Sequence, residues 1–138
     1  MSTPIYLPAM AACSALGVDA ASLRAGMWAT QRPDSLQRTD RYSPGRHLPL
    51  GCLPAAVQLP ALDFAPPVQR SRNNALAWYV VQQLRAEIDQ AVGRWGAHRV
   101  AVVVGTSTAG VQEGEQAAAQ WQATQQFAPG FDYAVQEM

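Results

Sequence analysis

The most apolar segment of the chain is the valine-rich run from Arg99 to Val104. A continuous β-branched run of this length predicts a strand that is buried on both faces. The next six residues, Gly105 to Gly110, are small, polar and bracketed by glycines, which favours a sharp turn. From Val111 the chain is rich in alanine and glutamine, which predicts a helix fading near Phe127. Strand, Gly-rich turn and helix is an arrangement at which α/β proteins commonly bind ligands.

The strongest helical pattern lies upstream of that run. Apolar residues recur on one face from a cap at Asn73 or Asn74 to about Val92, and Gly93 supplies a fitting stop. The members of this stripe are Ala77, Val80, Val81, Leu84, Ile88 and Val92. A long amphipathic helix that leads into an apolar strand predicts half of a parallel α/β unit with a right-handed crossover.

Shorter and weaker patterns precede the long helix. The first of them predict a strand over Ile5 to Cys13 interrupted by Pro8, a turn at Ser14 to Gly17, and a short helix that is capped by Asp19 and runs through Trp28. The next predict a loop from Thr30 to His47, an edge strand over Leu48 to Leu53, and an irregular segment from Pro54 to Gln69. Phe131 to Met138 is too short to assign.

Composition places the chain, residues 1–138, as one domain of ordinary size. Hydrophobic residues make up 49% and charged residues only 14%, which argues against disorder. The net charge is zero and there is no lysine, so no basic surface for nucleic acid is expected. So little charge on so apolar a chain indicates a surface covered by a partner or by more polypeptide. No apolar run is long enough to cross a bilayer, and the cytoplasm is the expected location.

The turn invites two catalytic or binding interpretations, and the sequence argues against both. Gly105 and Gly110 have the spacing of a phosphate-binding loop, but the lysine that such a loop requires is missing from the whole chain. Ser107 stands where a nucleophilic serine would stand, but its histidine base should come later in the chain. Both histidines, His47 and His98, precede it.

The remaining reactive side chains form no recognisable set. The two histidines do not have metal-ligand spacing with Cys13 or Cys52, so neither a metal site nor a cofactor is predicted. The cysteines are interpreted as buried small apolar residues rather than as a disulfide or a nucleophile. Glu113 and Glu115 are favourably placed at the amino end of a helix.

Three motifs, in this order, resemble the β-ketoacyl-acyl carrier protein synthases. They are Cys13-Ser-Ala-Leu-Gly17 with a following helix containing Leu23 and Gly26, then Arg70-Ser-Arg-Asn-Asn-Ala-Leu-Ala77, and then Arg99-Val-Ala-Val-Val-Val-Gly-Thr-Ser-Thr-Ala-Gly110. The last is similar to the branch associated with aryl-polyene pathways, whose turn reads Gly-Thr-Ser-Thr-Ser-Gly. Ala109 replaces the second serine here, and the resemblance spans the whole chain.

The resemblance implies a thiolase-like α/β fold made of two similar halves, each with a mixed five-stranded sheet and helices. Residues 1–138 would be an incomplete amino-terminal half. The family consists of dimeric acyltransferases that load an acyl group onto a cysteine and condense it with malonyl-acyl carrier protein, in fatty acid, polyene or polyketide biosynthesis. The family's nucleophilic cysteine and both its histidines would lie beyond Met138. The resemblance therefore implies no catalytic residue in this chain, and no activity of this piece alone.

The same resemblance places the turn beside an acyl pocket. Thr106, Ser107 and Thr108 would form its wall, with Thr108 as a gate, and Met138 would end a segment that lines the pocket near the dimer interface. An equally weighted alternative is that the three hydroxyl groups cap the next helix and satisfy backbone groups at the turn.

Two other interpretations of the chain stay open. One is a non-catalytic relative of condensing enzymes, comparable to chain-length factors, that forms a heterodimer with an active subunit. The other is a stand-alone α/β binding domain. The synthase hypothesis requires the Arg99 run to be a central strand and the sheet not to be antiparallel. It also predicts that a truncated sheet leaves apolar faces uncovered and that the chain self-associates.

Overall fold

A computed structural model of the chain describes residues 5–31, 35–105, 110–128 and 130–136. Its regular elements are helices α1 (Ala20–Met27), α2 (Arg72–Gln83), α3 (Arg85–Trp95), α4 (Val111–Thr124) and α5 (Tyr133–Gln136), strands β1 (Leu36–Thr39) and β2 (Leu48–Gly51), and single 3-10 turns at Pro67–Gln69 and Ala97–Arg99. The described residues thus combine helices with a sheet, as expected.

The first helix is formed as predicted. Asp19 caps it, because its carboxylate accepts a hydrogen bond from the Ser22 backbone N–H at 2.7 Å. Ser22 Oγ in return accepts from the Asp19 N–H at 3.2 Å, which completes a capping box. The predicted turn before it is confirmed by two backbone hydrogen bonds between Ser14 and Gly17.

The helix packs against that turn through glycines. A Cβ added to Gly17 would overlap the backbone of Leu23, and one added to Gly26 would overlap the Leu16 carbonyl oxygen. The backbones of the turn and of α1 therefore approach more closely than any side chain would permit.

The sheet among the described residues is a two-stranded antiparallel hairpin, with Leu36 opposite Gly51 and Thr39 opposite Leu48. Strand β2 confirms the short strand predicted to begin at Leu48. The loop prediction for Thr30 to His47 is wrong at β1, which lies inside that range. Gln37 and Arg38 are polar, so this strand lacks the apolar alternation by which strands are predicted. It forms because its backbone hydrogen bonds come from β2, and these bonds do not depend on apolar alternation.

The parallel α/β unit predicted around Arg99 to Val104 is absent from the described residues. Arg99 ends a 3-10 turn, and residues 100–105 belong to no strand. Val102, Val103 and Val104 are 83%, 94% and 77% exposed. The strand prediction for Ile5 to Cys13 is also wrong, and Ile5 is 94% exposed. In both cases the apolar pattern is present, but no neighbouring strand within the described ranges supplies the hydrogen bonds that a strand needs.

The long helix forms, but in two pieces and with other ends. Ser71, not Asn73 or Asn74, is its cap, and it accepts a hydrogen bond from the Asn74 N–H at 3.1 Å. At Leu84 the N–H donates to the Val81 carbonyl, a tightened turn that separates α2 from α3. The predicted stop at Gly93 is wrong, because α3 continues to Trp95 and ends at Gly96, whose φ of +82° suits glycine.

Helix α4 begins and ends close to its predicted limits, and residues 54–66 have no regular structure, as expected.

The chain buries few hydrophobic side chains. The buried hydrophobic side chains are Leu62, Ala75 and Ala117 among the described residues. The accessible surface of 11084 Å² compares with about 7,000 Å² expected for a compact monomer of this mass. Trp78 is half-buried against Phe64, whereas Trp121 is 42% exposed.

Candidate functional site

All four residues predicted to line a ligand pocket fall outside the described residues. These are Thr106, Ser107, Thr108 and Met138. Their assignment as an acyl-pocket wall, and the alternative role as helix caps, therefore stay predictions. Of the flanking glycines, Gly105 is exposed, and Gly110 is buried at the N-cap position of α4 with a φ of +70°.

The start of α4 borders two adjoining cavities. The smaller, of about 290 Å³, lies against Gly110, Glu113 and Glu115. The larger, of about 810 Å³, is bounded by the amino-terminal turn, the hairpin and the starts of α2 and α4, and we call it the hairpin cavity. Its lining consists of Cys13, Ser14, Ala15, Gln37, Thr39, Arg41, Tyr42, Leu50, Gly51, Cys52, Leu53, Arg72, Leu76 and Gln112.

The hairpin cavity is cationic. Arg41 and Arg72 line it, and no carboxylate belongs to its lining among the described residues. The Arg41 guanidinium lies 5.5 Å from the centre of the Tyr42 ring. The Glu113 and Glu115 carboxylates belong to the smaller cavity beside it. The arrangement suits binding of a polar or anionic group rather than proton transfer, because neither histidine lines it.

Two cysteines line the same cavity. Cys13 and Cys52 are both half-buried and free. Burial raises the pKa of the Cys13 thiol, so it is a poor nucleophile in this environment. The interpretation of both cysteines as buried small apolar residues is met only in part, because each is half-buried.

A separate apolar cavity of about 630 Å³ lies between α4 and the residues that follow it. Its lining includes Ala117, Phe127, Phe131 and Tyr133. The Phe127 ring stacks on Trp121 at 4.9 Å and on Phe131 at 5.4 Å, measured between centroids. The sequence interpretation missed this cavity, and the available signal was the spacing of four aromatic residues after Gln120.

Within the described ranges, no group of three or more His, Cys, Asp or Glu side chains could hold a metal ion. None of the helices in that part of the chain is long and apolar enough to span a membrane.

Comparison with known proteins returned no relative. No family model, no curated protein and no solved structure matches this chain. The resemblance to condensing enzymes therefore rests on the three motifs and their order.

Proposed function

We propose that this chain is the amino-terminal portion of a 3-oxoacyl-acyl carrier protein synthase. The parent enzyme would be an acyltransferase that condenses acyl and malonyl thioesters in fatty acid or polyene biosynthesis. It would act in the cytoplasm as a homodimer or heterodimer, with acyl carrier protein as its partner and no cofactor. Support comes from the order of the three motifs and from the uncovered apolar surface of the chain.

The observation on which the proposal depends is the exposure of Val102, Val103 and Val104. Full burial of one valine side chain contributes about 1.5–3 kcal/mol, so a chain that leaves three in water forgoes much of its available stabilisation. Additional strands on either side of this segment would pair with its backbone groups, and helices packed above and below the resulting sheet would bury both of its faces. The large accessible surface of the whole chain points in the same direction.

Among the described residues, neither structural requirement of the synthase hypothesis is met, because the sheet is antiparallel and the Arg99 run is not a central strand. The proposal consequently requires residues 100–104 to become a strand when further polypeptide flanks them. Val100 already has extended backbone angles, with φ −104° and ψ 116°. A strand can form there without rearranging this residue.

In this proposal the turn after the strand serves the acyl pocket. Thr106, Ser107 and Thr108 would form a pocket wall, with Thr108 nearest the acyl chain, and Met138 would lie near the dimer interface. The nucleophile would be a cysteine downstream of Met138, so Cys13 and Cys52 would take no part in the condensation.

The test uses a longer protein that includes the polypeptide encoded downstream of Met138. Hydrogen exchange should show amides 100–104 protected in the longer protein and unprotected in the 138-residue chain. Incubation with an acyl thioester should add one acyl group to a downstream cysteine, and changing that cysteine to alanine should abolish the addition. The 138-residue chain is the matched control and should remain unmodified.

Each alternative gives its own result. Protection of residues 100–104 without acylation would identify a non-catalytic condensing-enzyme relative. Amides 100–104 that stay unprotected in the longer protein, or a native gene product that ends at Met138, would contradict the proposal. The hairpin cavity would then favour a stand-alone binding domain, because its volume is about 810 Å³ and two arginines line it.

A further inference from the structure

The two cysteines are 39 residues apart in sequence but line one cavity. Both are half-buried, so each thiol is partly accessible to a small reagent. No third His, Cys, Asp or Glu joins them in a group that could hold a metal, within the part of the chain that the structure describes. Two cysteines that line one cavity without a metal are candidates for a bond to each other, provided that their Cα atoms can approach within about 7 Å.

A chain of backbone contacts brings the two segments together. The Cys52 N–H donates a hydrogen bond to the Ser35 carbonyl at 2.7 Å. The Ser35 hydroxyl, which is buried, donates to the Ala15 carbonyl. A Cβ added to Gly51 would lie only 2.9 Å from the Ala15 Cβ. The turn that follows Cys13 is thus in direct contact with the strand end that precedes Cys52.

The charge of the cavity also bears on the chemistry. Arg41 and Arg72 line the cavity, and positive charge close to a thiol stabilises its thiolate. Burial of Cys13 acts in the opposite direction and raises the pKa of its thiol. Thiolate formation is the step that starts thiol–disulfide exchange.

We propose that Cys13 and Cys52 form an intramolecular disulfide when the protein meets a small-molecule disulfide oxidant, which makes the hairpin cavity a redox modification site. One thiolate attacks a sulfur of the oxidant, forms a mixed disulfide and releases one thiol. The second thiolate then attacks the protein sulfur of that mixed disulfide, forms the Sγ–Sγ bond and expels the other thiol. Two protons and two electrons pass from the cysteines to the oxidant, which is reduced to two thiols.

The bridge would connect the amino-terminal segment to the hairpin across a long loop. Neither thiol has a role in the proposed condensation, so this inference does not depend on it. Closing a long loop restricts the unfolded chain, so the oxidised protein should unfold at a temperature at least about 5 °C higher than the reduced protein.

The test is a titration of the reduced 138-residue chain with glutathione disulfide, followed by intact mass and by thiol counting after denaturation. The expected product has lost two hydrogen atoms, has no free thiol and runs as a monomer on a non-reducing gel. Cys13→Ser and Cys52→Ser are the matched controls, and each should gain one glutathione and form no bridge. Circular dichroism checks that both variants keep the helical content of the parent.

The same titration in guanidinium shows whether the folded structure, rather than chance collision of the two thiols, is responsible for forming the bridge. Loop closure alone forms some bridge in the unfolded chain, so the folded chain should form it with an effective concentration at least about tenfold higher. An equal effective concentration in the two states would overturn the proposal. Glutathione adducts on both cysteines, disulfide-linked dimers, or two thiols that survive in the folded protein would overturn it as well.

Discussion

Two segments of the chain differ in what they need in order to form regular structure. They are helix α1 with its preceding turn, and the valine run at residues 100–104. The first has a low content of large apolar residues, yet it forms with a complete capping box. The second has the strongest apolar signal in the chain, yet it lies exposed and outside any strand. Every hydrogen bond that defines the cap of α1 joins residues three or four positions apart.

The contrast shows that local hydrogen bonding makes an element independent of the rest of the protein. A strand has no local hydrogen-bond partners, because its partners must come from elsewhere in the chain or from another chain. Hydrophobicity decides whether a strand is stable once paired, but it cannot supply the partner. Four changes test this distinction, in order of decreasing effect.

The close packing of α1 on its turn should be the most sensitive point. We expect Gly26→Ala to destabilise the fold by about 3 kcal/mol, because its Cβ would overlap the Leu16 carbonyl oxygen. Gly93→Ala is the matched control, also within a helix but with no atom near the added Cβ. It should stabilise the fold by about 0.5–1 kcal/mol. Urea unfolding measures both, and equal effects at the two positions would contradict the close approach.

The valine run should control self-association. Val103 is 94% exposed in the single chain. We expect Val103→Lys to raise the concentration at which the chain associates by at least about tenfold, because association through this segment would then bury a charge in place of an apolar side chain. Gln90→Lys adds the same charge at another exposed position and should have little effect. Sedimentation velocity gives both values. A clean monomer in the parent chain would rule out association through this segment.

Gln83 joins the locally determined region to α2. Its Nε2 donates to the Val18 carbonyl at 2.8 Å, just before the helix cap. We expect Gln83→Leu to lower the free energy of unfolding by about 1 kcal/mol, because that carbonyl loses its partner. The neighbouring exposed Gln82→Leu should be close to neutral. Chemical denaturation of the pair decides whether α1 depends on this contact.

The smallest effect is the pH dependence of the α1 cap. The backbone and hydroxyl hydrogen bonds from Ser22 lower the pKa of Asp19. A lowered pKa in the folded state means that the contribution is complete above the unfolded value of about 3.9 and is lost as the pH falls through the folded value. Melting curves should show the wild type slightly above Asp19→Asn at neutral pH and converging with it in acid. A gap that is independent of pH would exclude this role of the charge.

Elements that depend on interactions between residues close together in the chain were predicted better than elements that depend on distant residues. The turn at Ser14, helix α1 and helix α4 were predicted because glycine, aspartate and alanine act within one or two turns of backbone. Strand β1, the break at Leu84 and the stop at Gly96 were not, because each depends on contacts or on backbone angles that periodicity does not encode. The predicted ligand-facing residues at the Gly105 turn lie outside the described residues, so their prediction is untested. The hairpin cavity could not be foreseen, since its walls come from four separate segments.

By itself, the sequence determined helix α1 with its Asp19 cap, the helical character of α4, the lack of a complete catalytic or metal-binding motif in its residues, and the presence of more apolar surface than one small domain of this kind buries. Only the tertiary structure decided that the hairpin is antiparallel, that Cys13 and Cys52 share a cavity, and that the valine run stays in water. The physical reason is how far away in the chain the interacting partners of each feature lie. A helix cap finds its partner a few residues away, whereas a strand, a cavity or a thiol pair requires segments that only the folded chain brings together.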